Sequence, residues 1–380
     1  MIHLFRNHPF DQRFSMGRFA DLIERVVGES DSDFLSHQPK SWLSTKCRKR
    51  RRIFQLATRW EKLAFQKKQN LLKFGKGDLV HILDQGNARW ALSLRNVPVL
   101  ITCHDLHALD RQRNLQNQPK WLHRALLAKM KSGLIKAELI VTVSEFTKTR
   151  CLAHFPRKES SIRVIPLCLS GDFQQSSIPN CTLAAINPKL RTQNYIISVG
   201  ATYPRKRLGM VLQTLKLIPQ NQIPFVVFAG NNLNRGLRQL RDQLSLDERV
   251  ICIPDLDDSK LRVLYNGALA LFFPSGYEGF GWPILEAQAC DCPVICSRRS
   301  ALPEVAGGSA LFPSHDTATG YAELMKSLLA SKQLRSDFVN RGNKNLQRFT
   351  FPRFSTQYQA CYRLLSSNRR NRSPLSSKTG

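Results

Sequence analysis

The chain has 380 residues, with 57 Lys+Arg against 28 Asp+Glu, a formal net charge of +29, and 42% hydrophobic and 22% charged residues. That length predicts two or three domains at roughly 100–200 residues each, and the composition excludes intrinsic disorder as a description of the whole. No run of 18 or more apolar residues occurs and the first residues lack a basic region leading into an apolar stretch, so neither a membrane span nor a secretory signal is expected and the protein is read as cytoplasmic.

The charge is spread along the chain: 31 basic against 15 acidic residues up to Ala185, and 26 against 13 beyond it. One dense block stands out, K-C-R-K-R-R-R from Lys46 to Arg52. In the segment after it, Ile53, Leu56, Trp60 and Leu63 fall at helical spacing while Arg59, Lys62, Lys67 and Lys68 take other faces. Two readings stay open for Lys46–Lys73: a basic amphipathic helix lying on an anionic membrane surface, or a solvated helix packing its apolar stripe on its own domain. A nucleic-acid patch ranks below both. There is no zinc-finger spacing, no aromatic-interleaved RNA signature and no basic heptad array, so no specific nucleic-acid partner is expected.

From Asp78 the chain alternates short β-rich runs with helical stretches: D-L-V-H-I-L-D, V-P-V-L-I-T-C-H-D, a helix from about Lys120 to Ser132, A-E-L-I-V-T-V-S and S-I-R-V-I-P-L. Runs of this kind, apolar throughout and separated by helices, predict a parallel α/β sheet. The polar stretch Ser170–Thr182 reads as a linker. The alternation restarts with N-Y-I-I-S-V-G, I-P-F-V-V-F-A-G, R-V-I-C-I-P, A-L-A-L-F-F-P-S and C-P-V-I-C-S. Near the end, Phe354, Tyr358, Cys361 and Leu365 recur at 4-3-4 spacing in a final helix, followed by a tail expected to be disordered. The expected organisation is an N-terminal Rossmann-like domain over 1–175, a C-terminal one over 186–350, a helix over 351–367 returning toward the first domain, and a tail over 368–380. Two doubly wound sheets facing a cleft place ligands at their strand ends. The irregularly spaced cysteines, several in apolar runs, read as reduced core thiols.

The segment Pro274–Ser297, P-S-G-Y-E-G-F-G-W-P-I-L-E-A-Q-A-C-D-C-P-V-I-C-S, holds the chemistry. A strand ends at Phe273, a glycine-containing turn follows, and a helix is expected to begin at Pro283. Gly279 and Gly281 permit close backbone approach to a ligand, and the N–H groups of the turn and helix start make an anion site. Glu278 and Glu286 bracket that turn. Carboxylates repel phosphate, so in a phosphate-bearing site they suit sugar hydroxyls; taken alone, the same two acids also fit a solvated turn and a helix-dipole partner.

E-G-F-G-W-P-I-L-E resembles the E-x7-E signature of the retaining nucleotide-sugar glycosyltransferases of family 4 (group 1), whose fold is GT-B, two Rossmann-like domains. I-S-V-G-A-T-Y-P-R-K-R-L, V-S-E-F-T-K-T-R, T-C-H-D-L and L-P-E-V-A-G-G-S-A-L-F agree in order and spacing. The resemblance implies that Glu286 holds the ribose hydroxyls and that Glu278 meets the donor sugar. It also implies that Gly279, Phe280 and Gly281 line the sugar and pyrophosphate pocket through their backbone. Arg205 and Lys206 match the pair that neutralises the departing pyrophosphate, Gly17 stands in the place of the glycine loop opposite, and His104 matches a histidine facing the sugar. It implies a nucleoside-diphosphate donor bound by the nucleotide-sugar-binding domain over 186–350, a glycan or lipid-linked acceptor bound by the acceptor-binding domain over 1–175, and no metal. D-L-D-D near Asp257 and Asp258 reads as a helix N-cap, and Cys290, Cys292 and Cys296 straddle a helix end, a turn and a strand, a poor zinc set. The departures are Cys168 and Asp291 where glycines are usual, Ala201 where arginine is common, and one N-terminal glycine in place of two. They leave open a degenerate scaffold that binds without catalysis, and charge leaves open a basic nucleic-acid binder.

Overall fold

The computed structural model describes all residues except 12–13, 31–32, 47–50, 70–71, 111–119, 157, 170–172, 178–179, 193, 231, 255 and 371–380. The chain forms two compact units, Met1–Pro166 with the segment from Pro352 onward, and Leu167–Phe351.

The first unit is built on β1 (Ile2–Phe5), β2 (Phe34–His37), β3 (Leu79–Ile82), β4 (Val99–Cys103), β5 (Leu139–Thr142) and β6 (Ile162–Val164), in the order β2-β1-β3-β4-β5-β6. Every pairing is parallel. All positions of β3, β4 and β5 are buried, which is why their sequences are apolar without alternation. β1 and β2 lie before the point where the sequence pattern starts. I-H-L-F is short and carries a histidine, and F-L-S-H is a partly exposed edge strand without a continuous apolar run.

The second unit carries β7 (Tyr195–Val199), β8 (Phe225–Ala229), β9 (Val250–Ile253), β10 (Ala270–Phe273) and β11 (Val294–Cys296), ordered β11-β10-β7-β8-β9 and again all parallel. The chain direction across the sheet reverses between β10 and β7, the switch point where open α/β sheets bind ligands. Beneath it Ile196, Val211, Leu212, Phe272 and Met325 form the core.

The boundary falls earlier than the expected 175. Leu169 N–H donates to Phe349 O at 3.2 Å and Trp282 Nε1–H to Cys168 O at 2.8 Å, so these residues join the second unit as soon as β6 ends. Nor are the described residues of Ser170–Thr182 a free linker. Phe173 packs edge-on to Tyr265 at 6.1 Å, Ser176 N–H donates to Asn266 Oδ1 at 2.7 Å, and the Asn266 amide donates to Gln174 O at 3.1 Å. Asparagine satisfies the segment's backbone on both sides, and a polar composition gives no sign of that.

The final helix, Phe351–Arg370, buries Phe354, Tyr358, Cys361 and Leu365. In the first unit, the Tyr362 hydroxyl lies 2.8 Å from His81 Nδ1 and that of Tyr358 3.0 Å from Thr102 Oγ1. The tail expected to be disordered lies, from 371, outside the described residues.

The helix Arg51–Gln69 turns a different face inward from the apolar stripe. Leu56, Trp60 and Leu63 are exposed, whereas Ala57 and Glu61 are buried and Phe65 packs on Phe5 and Trp90. The packed-stripe reading therefore fails for these residues. A polar lock decides the orientation: Glu61 accepts from Leu43 N at 2.7 Å, Ser44 N at 3.0 Å and His8 Nε2 at 2.8 Å. Residues 47–50 of the basic block, and the side chains of Arg51, Arg52 and Ile53, lie outside the described residues. The nine described cysteines are free, Cys103 and Cys151 among the buried ones.

Candidate active site

Two loops leave the strands flanking the switch point of the second unit, Gly200–Arg207 after β7 and Pro274–Gly281 after β10. They are stitched together by backbone: Gly276 N–H donates to Arg205 O at 2.7 Å, and Arg205 Nη1 donates to Tyr277 O at 3.0 Å. On that frame Glu278 Oε2 meets Arg205 Nη1 at 3.0 Å and Oε1 meets Lys206 Nζ at 2.7 Å. The backbone of Glu278 is fixed as well, its N–H donating to Ser300 Oγ at 2.8 Å and its carbonyl accepting from Ala301 N at 3.3 Å. Two adjacent cations and a carboxylate more than seventy positions away thus share one ion cluster.

Its electrostatics follow from burial. Desolvation by itself raises the Glu278 carboxyl, yet Lys206 and then Arg205 hold it below the usual carboxylate range. Desolvation is also the largest influence on Lys206, whose ammonium it pulls below the usual lysine range against the attraction of Glu278. The lysine has room to reach the site because Gly200 has no side chain: a Cβ there would stand 3.0 Å from Lys206 Cε. Lys206 Nζ also lies 4.8 Å from the centroid of the Phe273 ring at the end of β10.

The helix following the turn is Trp282–Ala289, one residue earlier than expected, so Pro283 sits at its second position, still within the first turn where its missing N–H costs nothing. Gly281 precedes it with φ +119°, and a Cβ there would meet Leu302 Cδ2 at 2.8 Å. This position needs glycine for its conformation and for packing. Phe280 is buried edge-on to Phe349 at 5.8 Å, which leaves its backbone as the part able to face a ligand. Glu286, on the helix, is buried with the Tyr265 hydroxyl donating to its Oε2 at 3.1 Å. Burial and then Glu286 push the Tyr265 phenol far above the usual tyrosine range, so it stays a donor.

Sequence reasoning did not reach Tyr265, Gly200 or Ser300, nor the brace under the loop. Arg207, at φ +52°, donates Nη1 to Asp316 Oδ1 at 2.7 Å, and Tyr321 OH donates to the same oxygen at 2.9 Å. A tyrosine ending the helix before β10 was the one readable sign; the brace spans 109 positions and has none. Asp257 caps the helix Asp258–Gly267 by accepting from Lys260 N at 2.8 Å, and Asp291 adopts φ +51°, both as read from sequence. Burial pushes the Cys290 thiol up to about 12 and those of Cys292 and Cys296 higher still, as for core thiols.

In the first unit the polar groups gather after β1, β3 and β4. Asn7 Nδ2 donates to Asp84 Oδ2 at 2.7 Å and Asn87 Nδ2 to Asn7 Oδ1 at 2.6 Å, across the switch point between β1 and β3. His104 is buried after β4, with its N–H on Gln85 Oε1 at 2.9 Å, Nε2 donating to Leu83 O at 2.9 Å, and Phe19 edge-on at 4.6 Å. Gly17 is not in a loop. It is the fourth residue of the helix Phe14–Gly28, has nothing within 4 Å of its Cβ position, and lines a cavity of about 90 Å³ with Arg6, Asn7, His8 and Met16. The resemblance implied a loop here, but helical hydrogen bonding tolerates a glycine near a helix start at modest cost.

Two family models match the chain in succession, Glycosyltransferase Family 4 over residues 20–170 and Glycosyl transferases group 1 over residues 182–345. A curated relative, the O-antigen chain mannosyltransferase B of Escherichia coli, is 28% identical over 70% of this chain and 68% of its own length. Among solved structures, sucrose-phosphate synthase from Thermosynechococcus elongatus superposes with a TM-score of 0.75 at 18% identity, over 97% of this chain and 99% of the other. HepE of Anabaena, solved with UDP-glucose, gives 0.73 at 16% identity over 95% and 99%. Two all-parallel α/β units in this order are the GT-B fold, and the chain belongs to the group 1, family 4 glycosyltransferases.

Proposed function

We propose that the protein is a retaining glycosyltransferase that moves a hexose, mannose-like or glucose-like, from a nucleoside diphosphate to a glycan or lipid-linked acceptor, without a metal. The carrying observation is the ion cluster at the second unit's switch point, where Arg205 and Lys206 converge on Glu278. Cleaving the bond between the anomeric carbon and the diphosphate leaves positive character on the sugar and negative charge on the leaving phosphate. Arg205, Lys206 and the N–H groups at the start of Trp282–Ala289 oppose that negative charge, and a preorganised cluster does so without reorganising. Glu278 accepts hydrogen bonds from the sugar hydroxyls, and Glu286, oriented by Tyr265, accepts from the ribose. His104 is the first unit's candidate for sugar contact.

The choice of hexose draws on the mannosyltransferase named among the relatives and on the UDP-glucose of HepE. For location we propose a peripheral protein of the inner membrane face, held through Lys46–Lys73; no helix among the described residues is long and apolar enough to cross a membrane.

A thermal-shift screen against GDP-, UDP-, ADP- and dTDP-sugars tests the donor reading, because a ligand bound only by the folded state raises Tm. One sugar nucleotide should stabilise the protein and be turned over in the presence of EDTA, with Lys206→Ala and Glu286→Ala abolishing turnover. No response to any sugar nucleotide would sink the proposal, loss of turnover in EDTA would remove its metal-free part, and an inverted anomeric centre in the product its retaining part.

A further inference from the structure

The helix Arg51–Gln69 leaves an apolar surface uncovered. Leu56, Trp60 and Leu63, at i, i+4 and i+7, are 63%, 52% and 54% exposed, and Trp42 beside them is 52% exposed with its ring edge-on to Trp60 at 5.9 Å. Four large apolar side chains grouped in this way are uncommon on a surface that meets only water. Beneath the two tryptophans lies a cavity of about 370 Å³, walled by Trp42, Trp60, Ala64, Phe65 and Leu72. That volume is within the roughly 300–1,000 Å³ of small-molecule sites. Its acidic wall residue, Glu61, is turned to other work by Leu43, Ser44 and His8. Its imidazole, His37, is kept neutral to about pH 4, chiefly by burial and then by His3 and Lys68. Two ammonium groups, Lys40 and Lys68, belong to the same wall and are exposed to solvent, and Arg59 and Lys67 are exposed on the helix.

We propose that this cavity receives one hydrocarbon chain of an anionic bilayer lipid, with Lys40 and Lys68 meeting the head-group phosphate and Trp42 and Trp60 seated at the lipid–water boundary. The chemistry selects a lipid over other polyanions. A nucleic acid would use the lysines and leave the cavity unfilled, whereas an amphiphile with an anionic head fills the apolar space and meets the charge together. Tryptophan, apolar in body with one N–H, is the side chain favoured at such boundaries. This inference rests on the membrane-borne acceptor of the proposed function and identifies the surface that would present it.

The test uses the full chain and vesicles of phosphatidylcholine with 30% phosphatidylglycerol, against pure phosphatidylcholine and against an RNA oligonucleotide. The protein should sediment with the anionic vesicles, and Ala64→Trp, which fills the cavity while keeping every charge, should weaken partitioning about tenfold or more. Should Ala64→Trp melt early, Trp42→Ser with Trp60→Ser, both at exposed positions, gives the same reading without touching the core. Chain-brominated phosphatidylglycerol should quench tryptophan emission in the wild type and in Trp121→Phe, and lose most of that effect in the Trp42→Phe/Trp60→Phe pair. Unchanged partitioning in a well-folded Ala64→Trp, quenching that follows Trp121, or RNA binding of equal strength that these variants weaken overturns the proposal. Donor-induced stabilisation is measured on the same samples without vesicles. A donor response with no vesicle binding sinks this inference alone, and vesicle binding with no response to any sugar nucleotide sinks the donor reading alone.

Discussion

Gly200 and Lys206 are a matched pair: the lysine stem occupies the space a Cβ on Gly200 would take, 3.0 Å from Cε and 3.3 Å from Nζ. Gly200 also has φ +123°, a conformation L side chains rarely adopt, so its identity is fixed by backbone and by neighbour. Gly200→Ala is therefore expected to push Lys206 off Glu278 and to strain the end of β7, at a cost of about 1–3 kcal/mol. Donor KM should rise about tenfold or more. Steady-state kinetics with urea denaturation of the same variant checks both; a variant with wild-type KM would show that the lysine's path does not matter.

The Glu278 cluster predicts strong non-additivity. Lys206→Ala and Glu278→Ala remove partners of one another, and the double variant should differ from the sum of the singles by about 1–3 kcal/mol in unfolding free energy. A cycle that closes near zero would mean that the 2.7 Å contact is not energetically coupled.

The same carboxylate sets a pH dependence. Its folded pKa lies below the ordinary value of 4.5, so between the two the unfolded chain binds more protons and stability rises with pH. Its contribution is complete above 4.5 and lost as pH falls through the folded value. Glu278→Gln removes the titration, so the stability gap between wild type and variant should narrow steadily below that pH. Denaturant unfolding of both proteins across the acid range shows this directly, and a constant gap would contradict it.

Tyr265→Phe should act on the donor through Glu286. Without the hydroxyl 3.1 Å from Oε2, the buried carboxylate loses a donor that orients it, at about 1 kcal/mol. Donor KM is expected to rise by roughly five- to tenfold with kcat less affected, because the proposed ribose contact is made equally in ground and transition states. A fall in kcat with KM unchanged would move Glu286 to the reacting centre.

In the first unit, Tyr362→Phe removes the hydroxyl 2.8 Å from Nδ1 of the fully buried His81, whose Nε2 is already engaged by Thr102 Oγ1 at 2.8 Å. The expected cost is about 1–3 kcal/mol, confined to the first unit. Hydrogen exchange should report it in β3 and the final helix while donor affinity stays unchanged. Equal loss of protection in the second unit's sheet would refute that confinement.

The sequence by itself determined the parallel character of nine of the eleven strands, because a strand buried on both faces is written in adjacent apolar residues. It also determined the position of the glycine turn with Glu278 and Glu286, since conformations such as that of Gly281 and the cap of Asp257 depend on neighbours a few residues away. It did not contain β1, whose burial comes from partners distant in the chain, or β2, a partly exposed edge strand without a continuous apolar run. Nor did it contain the contact of Glu278 with Arg205 and Lys206, separated by more than seventy positions and joined only where β7 and β10 lie side by side. The helix Arg51–Gln69 shows the limit most clearly. Periodicity marked an apolar stripe and could not say which way it faces. That was settled by one buried carboxylate, Glu61, satisfied by Leu43, Ser44 and His8, because leaving it unpaired would cost more than leaving Leu56, Trp60 and Leu63 in contact with water.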